Sequence, residues 1–273
     1  MMPLSRSYKH SGDACAIKVT NVPAIMKIVL AVICFALSSG TLLAASRKLQ
    51  RDYQGFTVWL DCNEHAAFKF RYNAGHDFGD YPRTDDFRLD PGIPYECQPS
   101  STHSFSTKNI PGAPTYHRGH LVAANHLDYS EQAIRDSFFM TNILPMTQQL
   151  NLGAWAATEK ITECYRERSE LLILGGAVWK STKATRKNDY FVGSHNIHTP
   201  EYFWKVIIRG DDQTIAWWIP NDERALSGQL DRYLVKPSQL QVKAQIKLPE
   251  VPKAWRNKKP KTSWPLPSGC PPG

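Results

Sequence analysis

The stretch TYHRGHLVAANH, residues 115–126, places three histidines and one arginine around a single glycine. A glycine at this point lets the backbone bend, so that neighbouring polar side chains can converge on one place. A neutral imidazole, whose ordinary pKa lies near 6.5, accepts a proton at physiological pH. His120 is therefore a candidate general base. The competing interpretation is a histidine that only hydrogen-bonds backbone in a polar loop.

A second polar cluster follows in TNILPMTQQLNLGAWAATE, residues 141–159, with Asn142 and Asn151 on either side of a proline-containing turn. The pattern of residues 151–169 predicts a helix. Residues that are four apart in a helix differ by only about 40° in direction around its axis, so Asn151, Trp155 and Glu159 should share one face. An asparagine carbonyl is a hard oxygen ligand that suits Mg²⁺. Taken singly, Asn151 is typical of a helix cap and Glu159 of a solvated surface charge.

Together, these motifs carry a resemblance to a known family. HRGH at 117–120, TNILP at 141–145 and LNLGAWAATE at 150–159 resemble the DNA/RNA non-specific endonucleases, which are ββα-metal or His-Me finger nucleases. That family has D-R-G-H, then T/S-N-I-x-P, then a helix that opens with L-N-x-G-A-W and continues to a glutamate. A looser similarity runs from residue 53 to residue 235. The resemblance implies an α+β fold with a central antiparallel sheet flanked by helices.

The resemblance also implies roles for individual residues. His120 resembles the general base, Asn151 the direct metal ligand and Arg118 a cation that contacts phosphate. Asn142 and Glu159 resemble supporting polar residues in the catalytic set, with Glu159 reaching the metal through water. Trp155 is interpreted as packing that fixes the helix. One residue departs from the pattern: His117 stands where the family has aspartate, and we expect it to touch neither the base nor the metal ligand.

The implied reaction is hydrolysis of phosphodiester bonds in DNA and RNA, with 5′-phosphate products. It needs an activated water and neutralisation of charge on the phosphoryl and leaving oxygens, here by Mg²⁺ or another divalent cation such as Mn²⁺. Contacts to phosphate and sugar predict weak sequence preference. Cationic side chains could steer the substrate electrostatically, and the candidates are Arg118, Lys160, Lys183, Arg186 and Lys187.

Composition and patterning predict one α+β domain. The 273 residues carry a net charge of +8 and are 42% hydrophobic, which allows a sizeable core and an acidic partner such as nucleic acid. The predicted strands lie in a hairpin at 53–72, a short segment at 119–125 and runs at 170–179, 202–210 and 213–221. Three helices are predicted. One begins after a Ser130 cap, the second covers 151–169 and the third covers 224–233. Residues 73–114 are predicted as loops.

The first residues indicate export. Residues 26–45, MKIVLAVICFALSSGTLLAA, have the lysine, apolar run and small residues of a signal peptide. Residues 1–25 are then a leader with a misassigned start, residues 46–250 the endonuclease domain and residues 251–273 a Pro/Lys-rich tail. Cleavage removes four basic and one acidic side chain, leaving a charge of +5. The expected location is secreted or periplasmic, without stable membrane association after cleavage.

Four cysteines remain in the predicted mature chain, Cys62, Cys97, Cys164 and Cys270. An even set in an exported protein predicts two disulfides, for which three pairings are possible. The pairing favoured here is Cys62 with Cys97 and Cys164 with Cys270.

Two other functions are compatible with parts of the sequence. A histidine-ligated zinc site could use HNIH at 195–198, but this motif lacks the HExxH helix that would place two imidazoles beside a glutamate. A catalytically silent nucleic-acid-binding protein of the same fold is the main alternative. It would need neither a base nor a metal ligand. The sequence decides neither the DNA or RNA preference nor the oligomeric state.

Overall fold

A computed structural model describes residues 47–180, 189–210 and 213–270. The chain begins with a three-stranded antiparallel meander of β1 (Lys48–Tyr53), β2 (Phe56–Asp61) and β3 (Ala66–Ala74). Alternation of buried and part-exposed residues along β2 places Val58 and Leu60 in the core. β1 and β2 are joined by a two-residue turn, in which Gly55 has a φ of 91° that favours glycine.

The central sheet is antiparallel and has six strands in the order β1-β2-β3-β6-β7-β8. Its second half consists of β6 (Leu171–Val178), β7 (Tyr202–Arg209) and β8 (Gln213–Pro220). These three strands are almost continuously apolar because helices or loops cover both faces of the sheet. One face packs into the main core with Trp155 and Phe203, and the other packs Trp204 and Val206 against Leu240.

A separate two-stranded ribbon and a helix form a ββα unit. β4 (Tyr116–His120) pairs antiparallel with β5 (Ile143–Thr147). The connection between them contains α1 (Glu131–Ser137), whose first turn is capped by the Ser130 side chain. A π-helical turn (Leu150–Trp155) leads directly into α2 (Ala156–Arg166).

The C-terminal part contains the short α3 (Val192–His195), a 3₁₀ helix at Ser227–Tyr233 and α4 (Pro237–Ala244). Both expected disulfides, Cys62–Cys97 and Cys164–Cys270, are formed, so the favoured pairing is confirmed. The second disulfide ties the tail to α2. No helix in the described part of the chain has the length and apolar character needed to span a bilayer.

Several expectations about elements need correction. The strand expected at 119–125 lies at 116–120, and the turn expected around Pro145 is the strand β5. β1 and α4 were not predicted, and the expected helix at 224–233 is a shorter 3₁₀ helix. The leader and signal predicted for residues 1–45 lie outside the described residues. The boundary near residue 250 stays a prediction.

Candidate active site

The π-helical turn and α2 run alongside β4. Near the start of the turn, Asn151 hydrogen-bonds the side chain of His117. One turn later, the indole Nε1 of the buried Trp155 donates to the backbone carbonyl of His120 at 3.0 Å. Asn151, Trp155 and Glu159 therefore follow one helix face, as expected, and Trp155 fixes the helix to the strand.

Gly119 allows the two strands of the ribbon to pack closely. A Cβ atom on Gly119 would lie 2.4 Å from Cγ of Met146, a residue of β5. Its backbone is extended within β4, so the glycine is needed for this close approach. The bend that the sequence suggested at this point does not occur.

His120 lies at the end of β4 in an aromatic setting. Its ring is 5.7 Å from the Phe87 ring and 4.9 Å from the Phe138 ring, measured between centroids. Its Nε2 atom is buried and has no hydrogen-bond partner among the described residues. By contrast, both ring nitrogens of His195 are hydrogen-bonded, to Ser194 and to the carbonyl of His103. An unpartnered ring nitrogen is what a proton acceptor requires.

The charge state of His120 follows from its surroundings. Burial lowers its pKa, and the nearby guanidinium groups of Arg83 and Arg118 lower it further, to about 3. The imidazole is therefore neutral at physiological pH, which leaves its lone pair available. Two cations beside an uncharged imidazole also form a setting that attracts a phosphate group.

Arg118 follows the expectation in part. It shares a face of β4 with His120, and its guanidinium carbon lies 3.7 Å from the centroid of the Phe87 ring. One of its nitrogens donates to the carbonyl of Thr102 at 3.0 Å. The stacking and this bond fix the orientation of the guanidinium group, while its other donors are available for phosphate oxygens.

Arg83 was missed by the sequence reasoning. It lies in the segment interpreted only as surface loop, yet its guanidinium is 5.5 Å from the Phe138 ring centroid and acts electrostatically on both His120 and Glu159. A lone arginine in an irregular segment carries no periodicity that could have marked it.

Asn151 makes a contact that corrects an expectation. Its Nδ2 atom lies 3.2 Å from Nδ1 of His117, so His117 does touch the proposed metal ligand. Since the amide nitrogen donates, His117 must accept at Nδ1 and carry its proton on Nε2. This bond uses the amide nitrogen of Asn151 and leaves its carbonyl oxygen Oδ1 free for another contact.

Glu159 lies opposite a buried lysine. Its carboxylate is 4.0 Å from Nζ of Lys205, a residue of β7 that is only 1% exposed and whose ammonium lies 3.8 Å from the Trp155 ring centroid. Burial raises the pKa of Glu159, and Lys205, His126 and Arg83 oppose that increase. Lys205 was not anticipated, because it interrupts an apolar strand that sequence reasoning treats as core.

Asn142 presents no exposed group to the candidate site. It is completely buried, and its carboxamide accepts from the backbone nitrogen of Val122 and donates to the carbonyls of Val122 and Ser137. These three bonds join the segment after β4 to the end of α1. We therefore assign Asn142 a positioning role in the site.

The other expected residues are mostly elsewhere or outside the described chain. Lys183, Arg186 and Lys187 lie outside the described residues, and Lys160 is partly exposed on α2. His195 packs against Phe105 and Phe191. Within the described ranges, no group of three or more His, Cys, Asp or Glu side chains could hold a metal ion.

The side-chain oxygens of Asn151 and Glu159 fit a hard divalent cation. Asn151 offers the oxygen that is left free when its amide nitrogen bonds His117, and Glu159 presents a carboxylate on the same helix face, 23% exposed. Mg²⁺ is commonly held by one or two protein oxygens and keeps several waters. Asn151 would be the direct ligand, with Glu159 placed to bind one of those waters.

Similarity to a known family covers most of the chain. The family model described as DNA/RNA non-specific endonuclease matches residues 37–253. Human mitochondrial endonuclease G is 26% identical over 129 residues, covering 44% of this chain and 43% of the relative. The mitochondrial nuclease EXOG of Xenopus laevis is 25% identical over 166 residues, covering 57% and 44% respectively. The chain thus spans less than half the length of these curated relatives.

A solved structure described as a complex of EndoG with EndoGI, on the mechanism of EndoG inhibition, aligns with a TM-score of 0.55 at 18% identity. The alignment covers 73% of this chain and 84% of that chain. At this identity the likeness concerns the fold, and it confirms the expected α+β ββα-metal architecture with its antiparallel sheet flanked by helices. Because the family model covers most of the sequence, the chain belongs to the DNA/RNA non-specific endonuclease family.

Proposed function

We propose that the protein is a metal-dependent endonuclease that hydrolyses phosphodiester bonds of DNA and RNA. The observation that carries this proposal is the position of His120: its Nε2 has no hydrogen-bond partner among the described residues, and its ring lies beside Arg83 and Arg118. Membership of the endonuclease family supports it. A pure binding protein would have no use for a proton acceptor with an unpaired ring nitrogen.

In the proposed mechanism, His120 takes a proton from the attacking water, and its neutral state makes it competent to do so. Arg118 and Arg83 hold the phosphate and offset the charge that grows on its oxygens. Trp155 fixes the strand end through the His120 carbonyl, so that the imidazole keeps its position relative to Asn151. A divalent cation at Asn151, with Mg²⁺ as first candidate and Mn²⁺ as another, supplies neutralisation at the phosphoryl and leaving oxygens.

We expect 5′-phosphate products, as the family resemblance implies, from cleavage of the bond to the 3′ oxygen. Because the residues invoked address phosphate rather than base edges, we expect weak sequence preference and activity on both nucleic acids. The net charge of +5 that remains after removal of residues 1–45 favours association with a polyanion, which should weaken as salt rises.

We also propose that the protein works in an oxidising compartment, secreted or periplasmic. Its two disulfides support this, since such bonds persist outside reducing compartments, as does the signal-like segment at 26–45. The relatives reported above bear mitochondrial names, so location needs a direct test. N-terminal sequencing of the exported chain would provide it, and a mature chain that retains Lys18 would contradict the assigned start.

The test of the activity is plasmid cleavage by the purified protein with Mg²⁺, compared with EDTA and with the variants His120→Ala and Asn151→Ala. A general base contributes about 10² to 10⁴ in rate, so His120→Ala should lose that much turnover while its DNA affinity stays near that of the parent. Asn151→Ala should need more Mg²⁺ or lose activity.

Retention of intact plasmid by the parent protein, with and without Mg²⁺, would favour the alternative of a silent nucleic-acid-binding protein. Near-normal turnover in His120→Ala would remove that residue from the mechanism. An unchanged Mg²⁺ titration in Asn151→Ala would exclude direct ligation.

A further inference from the structure

Two aromatic side chains stand out from the surface in the segment before Arg83. Phe78 is 77% exposed and Tyr81 is 47% exposed. The Phe78 ring rests against the Tyr129 ring with 6.0 Å between centroids, so one of its sides is supported and the remainder faces solvent. We call the pair Phe78 and Tyr81 the aromatic lip.

The lip is carried by a segment that is fixed at several points. The backbone nitrogen of Asp77 donates to Glu167, and its carboxylate lies 2.6 Å from Arg166. The backbone nitrogen of Tyr81 donates to the carbonyl of Asp128 at 3.0 Å. Between them, a Cβ on Gly79 would lie 2.1 Å from the Tyr129 backbone, which shows how closely the segment lies on its support. A fixed segment loses little conformational entropy when its exposed rings bind something.

The lip adjoins the candidate active site. Tyr81 is two residues from Arg83, which spans at most about 7 Å of chain. The guanidinium of Arg83 lies 5.5 Å from the Phe138 ring, and that ring is 4.9 Å from the ring of His120. A nucleic acid whose phosphate lies beside His120 and Arg83 would therefore bring its neighbouring nucleotides past Phe78 and Tyr81.

We propose that the aromatic lip binds unpaired bases of the substrate by stacking, so that the enzyme prefers single-stranded or locally unpaired nucleic acid. This inference rests on the proposed function. Ring faces stack on a base only when that base is free of its neighbour on one side, which a regular duplex does not offer. Stacking tolerates every base, which agrees with the weak sequence preference expected above.

The charges around the lip favour a nucleic acid over a protein as the occupant. Arg83 and Arg118 lie near His120. Among the acidic residues close to Arg83 in sequence, Asp85 is paired with Arg83 and Asp86 with Arg88, whereas Asp80, between the two rings, is exposed. Asp77 is paired with Arg166. The lip is thus an aromatic surface whose inner border is cationic and whose nearby carboxylates are mostly neutralised, the combination that single-strand binding surfaces use.

The test compares Phe78→Ala and Tyr81→Ala with the parent on a dye-labelled single strand and on its duplex of equal length. Stacking on one aromatic residue is worth enough to raise the KM or Kd for the single strand about tenfold. We expect that rise for the single strand, a change of less than about twofold for the duplex, and an unaltered kcat. Phe78→Trp should restore single-strand affinity. Tyr95→Ala, which removes another exposed aromatic side chain (61%), is the matched control and should change neither substrate.

Equal effects on single strand and duplex, or none on either, would overturn the stacking proposal, and the latter result would assign the lip to a protein partner. A parent protein that cleaves nothing would contradict the proposed function instead. In that event, the single-strand Kd, measured by fluorescence anisotropy for the parent and for Phe78→Ala, still decides whether the lip binds bases: a tenfold difference supports it and equal values overturn it.

Discussion

His117 is the residue that sets this chain apart from its family motif. Its Nδ1 accepts from Nδ2 of Asn151 at 3.2 Å, so it helps to aim the carbonyl oxygen that we assign to the metal. A neutral imidazole does this more weakly than the carboxylate of an aspartate, which forms a charge-assisted bond and adds a negative charge near the cation.

We therefore expect His117→Asp to lower the Mg²⁺ concentration needed for half-maximal cleavage by about threefold to tenfold, because one such bond is worth on the order of 1 kcal/mol more. A Mg²⁺ titration of plasmid cleavage measures this. His117→Ala is the control and should shift the titration in the opposite direction. If the aspartate variant requires more Mg²⁺ than the parent, His117 does not act through Asn151.

Lys205 should make the stability of the fold depend on pH. Burial lowers the pKa of this lysine to about 8, and Glu159 opposes the decrease. An unfolded lysine titrates near 10.5, so between about pH 8 and 10.5 the unfolded state binds more protons. Stability contributed by this group must therefore rise with pH in that window and stay constant below it.

Lys205→Met, which retains the length of the side chain without its charge, should remove this dependence. The difference in the free energy of unfolding between variant and parent should shift by up to about 3 kcal/mol in favour of the parent as the pH rises from 7 to 10. Denaturant unfolding at several pH values tests it. A difference that does not change between pH 7 and 10 would show that Lys205 keeps an ordinary pKa in the fold.

The β4–β5 ribbon sets the position of His120, the proposed base. Gly119 permits it, since a Cβ there would lie 2.4 Å from Cγ of Met146. Gly119→Ala should separate the strands, lower the stability by about 1–3 kcal/mol and reduce turnover, because His120 is the next residue.

The losses of stability and of turnover in Gly119→Ala should both depend on the Met146 side chain. We expect Met146→Ala to cost less stability in the Gly119→Ala background than in the parent, because it removes the clashing atoms. Thermal unfolding and cleavage assays of the four proteins form the cycle. Additive losses would mean that Gly119 matters for a reason other than its contact with Met146.

Sequence patterns predicted some of the strands and missed others. Long apolar runs predicted β6, β7 and β8 correctly, since strands buried on both faces read as apolar runs. Pro145 hid β5, because proline lacks the N–H that a central strand needs; here the ribbon has only two strands, and the Pro145 carbonyl is instead used by Asn221. β1 was missed because its residues are mostly polar and it lies at the edge of the sheet.

Motif order and the family resemblance pointed to His120, Asn151 and Glu159, whose roles in the site stay predictions, and the helix period placed Asn151, Trp155 and Glu159 on one face. Arg83 and Lys205 come from a loop and a strand that are distant from these motifs in sequence. Only the packing of α2 and the ribbon against the sheet brings them together, so no local pattern could have indicated them.

The two disulfides close loops of different length in different parts of the molecule. Cys62–Cys97 closes 35 residues near the first strands, whereas Cys164–Cys270 closes 106 residues and fastens the C-terminal tail to α2. Within the tail, Trp264 packs on Tyr165, and Ser263 accepts a hydrogen bond from the Trp217 indole. The tail thus covers parts of α2 and the sheet, and its last residues line a cavity together with Asp77 and Gly79.

We expect Cys270→Ser to destabilise the protein more than Cys97→Ser. Loop-closure entropy gives about 5 kcal/mol for the longer loop and about 4 kcal/mol for the shorter one. Differential scanning calorimetry of both variants measures this order. Trp264 and Ser263 of the tail contact Tyr165 and Trp217 rather than the proposed base or metal ligand, so Cys270→Ser should cleave plasmid at the parent rate below its melting temperature, while a protease cuts residues 257–270 first. Loss of cleavage in a variant that is still folded would show that the tail supports the active site through α2, and a smaller loss of stability than in Cys97→Ser would show that the tail is held mainly by its own packing.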